Sequence, residues 1–219
     1  MEPVYECEDC KDTGYIGNRK CHCFHKAVID LLYTQSNLQH ILEKENFDTF
    51  SLSWYNNTDV DPATGLTPYI NMQKVLKVCH DFVDNFDNTF SNLLFIGQTG
   101  VGKTFLSNCI ARALMDSCHS IIYLTAGEFF DSFKSDDFKE FGSSKFDTSF
   151  FIECDLLIID DLGTEKASDY NFSNLFNTIN ERLLRRKSII ISSNLEMPDI
   201  ETRYSQRIFS RLVSAYSNF

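Results

Sequence analysis

Residues 97–104 read GQTGVGKT and stand between the apolar run NLLFI (92–96) and the segment FLSNCIARALM (105–115). The stretch fits the pattern G-x-x-x-x-G-K-[ST]. Glycines at this density cost backbone entropy, but they let successive backbone N–H groups turn inward and cradle phosphate oxygens without Cβ clashes. The positive end of the following helix adds to the attraction. The stretch therefore predicts a phosphate-binding loop between a strand and a helix.

Each position of this loop has an expected role in binding ATP and Mg²⁺. We expect Lys103 to reach the β- and γ-phosphates and the Thr104 hydroxyl to hold Mg²⁺. The backbone that would bind the phosphates belongs to Gly97, Gln98, Thr99, Gly100, Val101, Gly102, Lys103 and Thr104. A glycine-rich turn without a ligand is the alternative interpretation, and the strand-to-helix context favours the nucleotide.

Polar side chains also follow two later apolar runs. The run LLII is followed by Asp160 and Asp161, and the run III is followed by two serines and Asn194. Open α/β sheets bind ligands at the carboxyl ends of their strands. We expect Asp160 to anchor the Mg²⁺, Asp161 to polarise the attacking water and Asn194 to orient that water or sense the γ-phosphate. A solvated strand end and a turn residue are the plainer alternatives.

The alternation of short apolar runs with helical patterns predicts the fold class. Strands are expected at 92–97, 120–126, 155–161 and 188–194, and helices at 103–117, 127–150, 170–187 and 199–215. Such strands belong to a parallel sheet that helices cover on both faces, hence an α/β fold. Two helices have a predicted buried face. In 69–86 it comprises Ile70, Val75, Val78 and Phe82, and in 170–187 it comprises Phe172, Leu175, Phe176, Ile179 and Leu183.

The N-terminal cysteines predict a zinc site. Cys7, Cys10, Cys21 and Cys23 follow the spacing C-x₂-C-x₁₀-C-x-C, which four thiolates can close tetrahedrally around Zn²⁺. His22 or His25 can replace one sulfur, and free thiols or an iron–sulfur cluster are alternatives. The remaining cysteines lie in apolar or helical segments, where they are expected to act as small hydrophobic residues; they are Cys79, Cys109, Cys118 and Cys154.

Composition limits the remaining possibilities. The chain has 219 residues and a formal net charge of −11, which argues against coating long duplex DNA but not against a narrow basic channel for a single strand. Its acidic start differs from a signal peptide, and no apolar run approaches a membrane span, so a cytoplasmic protein without membrane contact is expected. We predict a zinc-binding knuckle at 1–28, a helix and linker pinned by aromatics at 29–66, and the main domain at 67–219.

Together these motifs resemble AAA+ ATPases, and more narrowly the bacterial replicative helicase loaders of the DnaC/DnaI type in their Firmicute-like form. The resemblance spans nearly the whole chain and rests on CEDCKDTGYIG…CHC, NFDTFSL, GQTGVGKT, LLIIDDLGTE, ISSN and RIFSRL. It implies that 97–104 is Walker A, that Asp160 and Asp161 form Walker B, and that Asn194 is sensor 1. It further implies that Arg211 is an arginine finger reaching the nucleotide of a neighbouring subunit, a role that Arg207, one helical turn away, can share.

Two departures from the family pattern are expected to matter. The main domain is expected to end before the final strand and the helical lid of related proteins. Asp161 is shorter than the usual Glu, which is expected to slow water activation, and Glu165 is a candidate substitute.

The resemblance implies a weak ATPase that self-associates through its nucleotide site and delivers replicative DNA helicase to single-stranded DNA during primosome assembly. Arg182, Arg185 and Arg186 would then face single-stranded DNA, or they complement the negative end of their own helix. Two other functions remain open. One is a transposition-helper ATPase of the IstB type, and the other is a non-hydrolysing adaptor that docks on helicase.

Overall fold

The described part of the chain begins with a two-stranded sheet and continues through short helices into alternating strands and helices. The computed structural model describes residues 5–17, 19–21, 23–24, 27, 38–137, 148–204, 206–215 and 217–218. The strands are β1 (Tyr15–Ile16), β2 (Arg19–Lys20), β3 (Leu93–Ile96), β4 (Ile121–Thr125), β5 (Leu156–Leu162), β6 (Ser188–Ser193) and β7 (Ser217–Asn218). The helices are α1 (Leu38–Lys44), a 3₁₀ turn (Leu52–Trp54), α2 (Pro68–Asp84), α3 (Lys103–Asp116), α4 (Ala126–Asp137), α5 (Phe150–Glu153), α6 (Asp169–Leu184), α7 (Met197–Arg203) and α8 (Gln206–Ala215).

The main sheet has the strand order β4-β5-β6-β3-β7, and every neighbouring pair is parallel. Successive residues of a strand point to opposite faces, and here they enter two different cores. Leu94, Leu157 and Ile159 pack in one core with α4 to α8. Phe95, Leu156 and Ile158 pack in the other with α1 to α3. The predicted parallel sheet with helices on both faces is therefore confirmed.

Helix α2 begins where its sequence signals a cap. The Thr67 side chain accepts a hydrogen bond from the N–H of Ile70, and Pro68 occupies the first turn. The buried residues are Met72, Val75, Cys79 and Phe82. Ile70 is 39% exposed, so its predicted place on the buried face is wrong. The buried positions follow the i, i+3, i+7 spacing from Met72, and Ile70 lies on the other side of the helix.

Helix α6 buries less of its predicted apolar face than expected. Leu175 and Ile179 are fully buried, whereas Phe172, Phe176 and Leu183 are half-buried against the same core. The helix predicted within 29–66 is described as α1, and 29–37 lie outside the described residues. In the predicted helical region at 127–150, α4 ends at Asp137, residues 148–149 form a turn and α5 begins at Phe150, while 138–147 lie outside the described residues.

Arg182 of α6 is fully buried, which contradicts its predicted contact with single-stranded DNA. Its guanidinium Nη1 donates hydrogen bonds to the carbonyls of Phe151 at 2.7 Å and Cys154 at 3.0 Å. Its Nη2 donates to the carbonyls of Asp155 at 3.1 Å and Ser188 at 2.6 Å. The side chain thus joins the approach to β5 to the start of β6.

The C-terminal part differs from its prediction in two ways. The expected single helix at 199–215 is two helices, because the buried Tyr204 takes an extended conformation after α7. The expectation that the domain ends before a final strand is also wrong, since Ser217–Asn218 pairs with β3. Two residues are too few to show a strand pattern in the sequence.

The linker before α2 is held by its aromatic residues, as predicted. Phe47, Phe50 and Tyr55 pack against the core that contains α1 to α3. Trp54 in the same segment is 88% exposed. Among the helices of the described residues, none is both long and apolar enough to span a bilayer.

Candidate functional site

The phosphate loop joins β3 to α3 and is closed on one side by the linker. Gly102 precedes α3 with a φ of 102°, which lies in the region that favours glycine. A Cβ at this position would lie 2.5 Å from Tyr55 Oη. The Tyr55 hydroxyl donates a hydrogen bond to the carbonyl of Val101 at 3.0 Å. In the described structure no side chain caps the start of α3, which leaves its first N–H groups to other acceptors.

Lys103 lies in this loop with its ammonium turned toward the ends of β3 and β6. Its Nζ donates to the carbonyls of Gly97 at 2.7 Å and Gln98 at 2.9 Å, and to Asn194 Oδ1 at 2.7 Å. These bonds use all three of its protons, so a phosphate must replace at least one acceptor. Burial lowers the pKa of Lys103, against the opposing effect of Asp161 and Asp160.

Asp160 collects three hydroxyl donors at the carboxyl end of β5. Its Oδ2 accepts from Thr104 Oγ1 at 2.9 Å and from Tyr123 Oη at 3.0 Å, and its Oδ1 accepts from Ser192 Oγ. Adjacent ligands of an octahedral Mg²⁺ at about 2.1 Å are separated by about 3.0 Å. The separation of the Thr104 and Asp160 oxygens is therefore compatible with binding to one Mg²⁺, and their assignment as its ligands stays a prediction.

Asp161 is held in a left-handed conformation with a φ of 62°. Its N–H donates to Ser192 Oγ at 2.8 Å, and its Oδ1 accepts from Asn194 Nδ2. Because Asn194 also accepts from Lys103, one amide links the lysine of the phosphate loop to the second acidic residue. The structure brings together the five side chains expected at this site, which are Lys103, Thr104, Asp160, Asp161 and Asn194.

Sequence reasoning missed Tyr123 and Ser192, which both bond to Asp160. Tyr123 lies on β4 and Ser192 on β6, respectively 37 and 32 residues from Asp160. The only local signal was the serine pair before Asn194.

Glu165 has a structural role rather than the expected one in activating water. Its Oε2 accepts from the N–H of Gly163 at 2.8 Å, and its Oε1 accepts from Tyr204 Oη at 2.5 Å and pairs with Arg203 Nε at 3.5 Å. The Glu165 side chain is 3% exposed. Burial, together with the bond to Glu165, raises the pKa of Tyr204.

The two candidate finger arginines of α8 differ in their surroundings. Arg211 donates from Nε and Nη2 to Asn180 Oδ1 at 3.2 and 3.0 Å, and its guanidinium carbon lies 4.4 Å from the centre of the Phe176 ring. Arg207 is exposed. The assignment of Arg211 as the finger stays a prediction.

A cavity of about 550 Å³ opens between the linker and the phosphate loop, in the size range of small-molecule sites. Its walls include Phe50, Trp54, Tyr55, Asn71, Gly100 and Phe105. Sequence reasoning assigned these linker aromatics to packing and did not predict the cavity. The signal was their density in NFDTFSLSWY, 46–55.

The four N-terminal cysteines converge as their spacing predicts. Their sulfurs all lie within 4.8 Å of one another. The Sγ atoms of Cys7 and Cys21 are 3.7 Å apart, those of Cys10 and Cys23 are 3.3 Å apart, and the Gly14 N–H donates to Cys10 Sγ at 3.3 Å. Tetrahedral Zn²⁺ with bonds of about 2.3 Å separates its sulfurs by about 3.8 Å, so the four thiols fit this metal. His22 and His25 lie outside the described residues.

The other cysteines behave as predicted with one exception. Cys79, Cys109 and Cys154 are buried, and Cys118 is exposed. Burial raises the pKa of the Cys79 and Cys109 thiols to about 12. These two thiols therefore stay neutral and pack as small hydrophobic groups.

Comparison with known proteins identifies relatives of both the core and the full chain. The sequence profile described as IstB-like ATP binding protein matches residues 69–211. The phage-like element PBSX protein XkdC of Bacillus subtilis (strain 168) is 24% identical over 98% of this chain and 81% of its own length. The replicative helicase loader DnaC of Escherichia coli (strain K12) is 22% identical over 78% of this chain and 73% of its own length.

Solved structures share the fold. The crystal structure of the DnaC helicase loader matches with a TM-score of 0.63 and 21% identity, over 81% of this chain and 96% of that one. AMPPCP-bound DnaA from Aquifex aeolicus matches with a TM-score of 0.62 and 19% identity, over 80% of this chain. The chain spans only 50% of the length of that DnaA.

Proposed function

The chain belongs to the family of IstB-like ATP-binding proteins, and from that premise we propose that it is an ATP-dependent loader of replicative DNA helicase. It binds ATP with Mg²⁺, self-associates at the nucleotide site and hydrolyses ATP weakly when alone. It acts in the cytoplasm during primosome assembly, where it delivers the helicase to single-stranded DNA.

Each residue of the site has a separate proposed role in phosphoryl transfer. The N–H groups of the loop and the Lys103 ammonium bind the phosphates, and the Thr104 hydroxyl and the Asp160 carboxylate hold the metal. When bound, Mg²⁺ neutralises charge that develops on the β- and γ-phosphate oxygens. The Asp161 carboxylate accepts a hydrogen bond from the attacking water, and the Asn194 amide fixes the position of that carboxylate.

One observation carries the proposal of an ATP-controlled switch. Asn194 contacts both Lys103, which would bind the γ-phosphate, and Asp161, which would polarise the water. A γ-phosphate that draws Lys103 away from Asn194 Oδ1 therefore changes the hydrogen bonding of the amide that holds Asp161. Loss of the γ-phosphate reverses that change, and the site reports its nucleotide state to the end of β6.

The cavity between the linker and the loop is proposed to receive the base and ribose of the nucleotide. It adjoins Gly100 and Gly102 of the loop and is lined by the aromatic rings of Phe50 and Tyr55. Aromatic faces of this kind stack on nucleobases. The linker that carries these rings also connects the cysteine module to the core.

Zinc in the cysteine module is proposed to be structural. Cys7, Cys10 and Cys21 are buried, although the module is short and has exposed apolar side chains at Tyr15 and Ile16. A segment with so little apolar core depends on its metal for folding. The module is then available as an appendage that contacts helicase or DNA.

A transposition-helper ATPase of the IstB type is the second candidate, because the matching family profile bears that name. The profile covers residues 69–211 and therefore leaves out the cysteine module. The matches to XkdC and DnaC extend over more of the chain, at 98% and 78% respectively. The cysteine module and these matches favour the loader.

Hydrolysis and helicase binding test the proposal together. The Lys103→Ala variant is expected to lose ATP binding and hydrolysis, whereas Lys134→Ala, which removes a surface lysine paired with Asp131, is expected to keep both. The unmodified protein is expected to co-purify with a hexameric replicative helicase in a manner that depends on ATP. Equal background hydrolysis by the unmodified protein and Lys103→Ala, with helicase still bound, would instead identify the adaptor. Binding of a transposase without helicase would identify the transposition helper.

Assembly and DNA binding rest on separate arginines. Arg211 is proposed to act on the nucleotide of a neighbouring subunit, so Arg211→Ala should abolish the rise of ATPase activity with protein concentration. If Arg207→Ala loses this rise and Arg211→Ala keeps it, Arg207 is the arginine that acts on the neighbouring nucleotide. Arg185 and Arg186 remain the proposed contacts for single-stranded DNA after the burial of Arg182, and their joint replacement by Ala should weaken that binding.

A further inference from the structure

The last residues of β6 hold the acidic end of β5 through side-chain bonds. Ser192 Oγ donates to Asp160 Oδ1 and accepts from the Asp161 N–H at 2.8 Å. Ser193 Oγ, by contrast, donates to the carbonyl of Leu162 at 2.6 Å and does not contact either carboxylate through any bond of the described structure. Ser192 thus bonds to the two acidic residues, whereas Ser193 bonds to Leu162, the residue that follows them.

The pairing register between β5 and β6 shifts between Ile159 and Leu162. Ile159 pairs with Ile191 and Leu162 pairs with Ser193, so β5 uses three steps where β6 uses two. The extra residue makes a β-bulge, and Asp161 takes its left-handed φ of 62° there. Regular alternation would point two consecutive side chains to opposite faces of the sheet. Asp160 keeps the face of Ile158 and bonds to Thr104, whereas Leu162 returns to the face of Ile159 because Asp161 is the extra residue of the bulge. Asp161 bonds to Asn194 from that position.

We propose that Ser192 is a positioning residue that sets the Mg²⁺ affinity of the site by stabilising this bulge, an inference that rests on the nucleotide site proposed above. Its single hydroxyl bonds at once to the carboxylate of Asp160 and to the backbone of Asp161.

Burial makes these bonds effective. Ser192 is 1% exposed and Asp160 is 6% exposed, so water competes poorly for either group. Replacing Ser192 by Ala leaves the Asp161 N–H without its acceptor and Asp160 Oδ1 without its donor. Asp160 keeps its bonds from Thr104 and Tyr123 through Oδ2, so the carboxylate stays near the loop but its rotation is less restricted. Loss of such a supporting bond typically weakens metal binding by about 10- to 100-fold.

The test compares Ser192→Ala with Ser193→Ala, two truncations of the same size at adjacent buried positions. Calorimetry measures ADP affinity in saturating Mg²⁺ and in EDTA, and a Mg²⁺ titration at fixed ADP gives the half-saturating concentration. Ser192→Ala is expected to need about 10- to 100-fold more Mg²⁺, with ADP affinity in EDTA unchanged. Ser193→Ala is expected to lose stability only, and Ser192→Thr, which keeps the hydroxyl, should recover most of the Mg²⁺ affinity.

Three outcomes would overturn the inference. The first is an unchanged Mg²⁺ requirement in Ser192→Ala, the second is an equal loss in Ser193→Ala, and the third is a loss of ADP affinity in EDTA equal to that in Mg²⁺. If Ser192→Ala does not fold, Ser192→Cys, which keeps the volume and a weak donor, supplies the same comparison. Failure of the proposed function is distinguishable, because the unmodified protein would then show no Mg²⁺-dependent nucleotide binding.

Discussion

Replacement of the buried Arg182 by Met should destabilise the fold strongly. Methionine fills a similar path through the core but donates no hydrogen bonds. The substitution removes the guanidinium donors of four backbone carbonyls, those of Phe151, Cys154, Asp155 and Ser188. We therefore expect a loss of stability rather than a selective loss of DNA binding.

The size of the effect follows from the number of bonds. Each unsatisfied buried polar group costs about 1–3 kcal/mol, so four carbonyls at the low end of that range give about 4 kcal/mol. Removing the guanidinium also ends the cost of burying a charge, which keeps the sum near this lower limit. Total stabilities of domains are about 5–15 kcal/mol, so Arg182→Met takes a large share of the free energy of unfolding.

Urea unfolding followed by circular dichroism measures this loss, with Arg185→Met as the matched control. Arg185 lies three residues further along the same chain segment, is 54% exposed and pairs with Glu181 at 3.5 Å, so its replacement should cost less than about 1 kcal/mol. Arg182→Lys, with three protons for four carbonyls, should fall between the two. The reasoning fails if Arg182→Met unfolds within about 1 kcal/mol of the unmodified protein while binding single-stranded DNA more weakly.

Three further predictions concern the phosphate loop, the cysteine module and the Asp155 carboxylate immediately before β5. Gly102→Ala should weaken nucleotide affinity by about 10-fold or more in calorimetry, because a Cβ would lie 2.5 Å from Tyr55 Oη and alanine is strained at a φ of 102°. Adding Tyr55→Phe to this variant should restore only part of the affinity, and complete restoration would show that the positive φ contributes nothing to the loss. Cys10→Ser should lower the zinc content from one ion per chain and expose the module to limited proteolysis while the core keeps its unfolding transition, whereas a protease-resistant module without zinc would contradict a structural metal. Burial opposes ionisation of Asp155, but its bond to Lys187 and the donors from Ser120 outweigh this and lower its pKa. The stabilisation from the Asp155 carboxylate is therefore present above its unfolded pKa of about 3.9 and is lost as pH falls through the lower folded pKa. The difference in free energy of unfolding between Asp155→Asn and the unmodified protein should shrink below about pH 4, and a difference independent of pH would count against this pairing.

The parts of the site that the sequence predicted are those with a local cause. The glycines of the loop, the apolar run of β5 and the cysteine spacing each constrain the chain over a few residues, and the structure places all of them as expected. The fold class follows for the same reason, because a continuous apolar run already indicates a strand covered on both faces.

The parts that the sequence did not predict depend on residues far apart along the chain. Arg182 is basic and close to a helix end, which usually indicates a solvated position, and only the packing of α6 against the approach to β5 buries it. Ser192 and Tyr123 reach Asp160 across neighbouring strands, and the register that aligns them has no signature in either segment. The break at Tyr204 likewise depends on its contact with Glu165, 39 residues earlier.

Trp54 is the single tryptophan of the chain, and it lies 88% exposed on the wall of the cavity beside the phosphate loop. Its indole emission therefore comes from one known place in the molecule. A ligand that fills the cavity shields the ring from water and moves its emission to shorter wavelength. Unfolding of the chain changes the emission less, because the ring is already exposed to water in the folded protein. The unlabelled protein thus carries its own optical reporter of cavity occupancy.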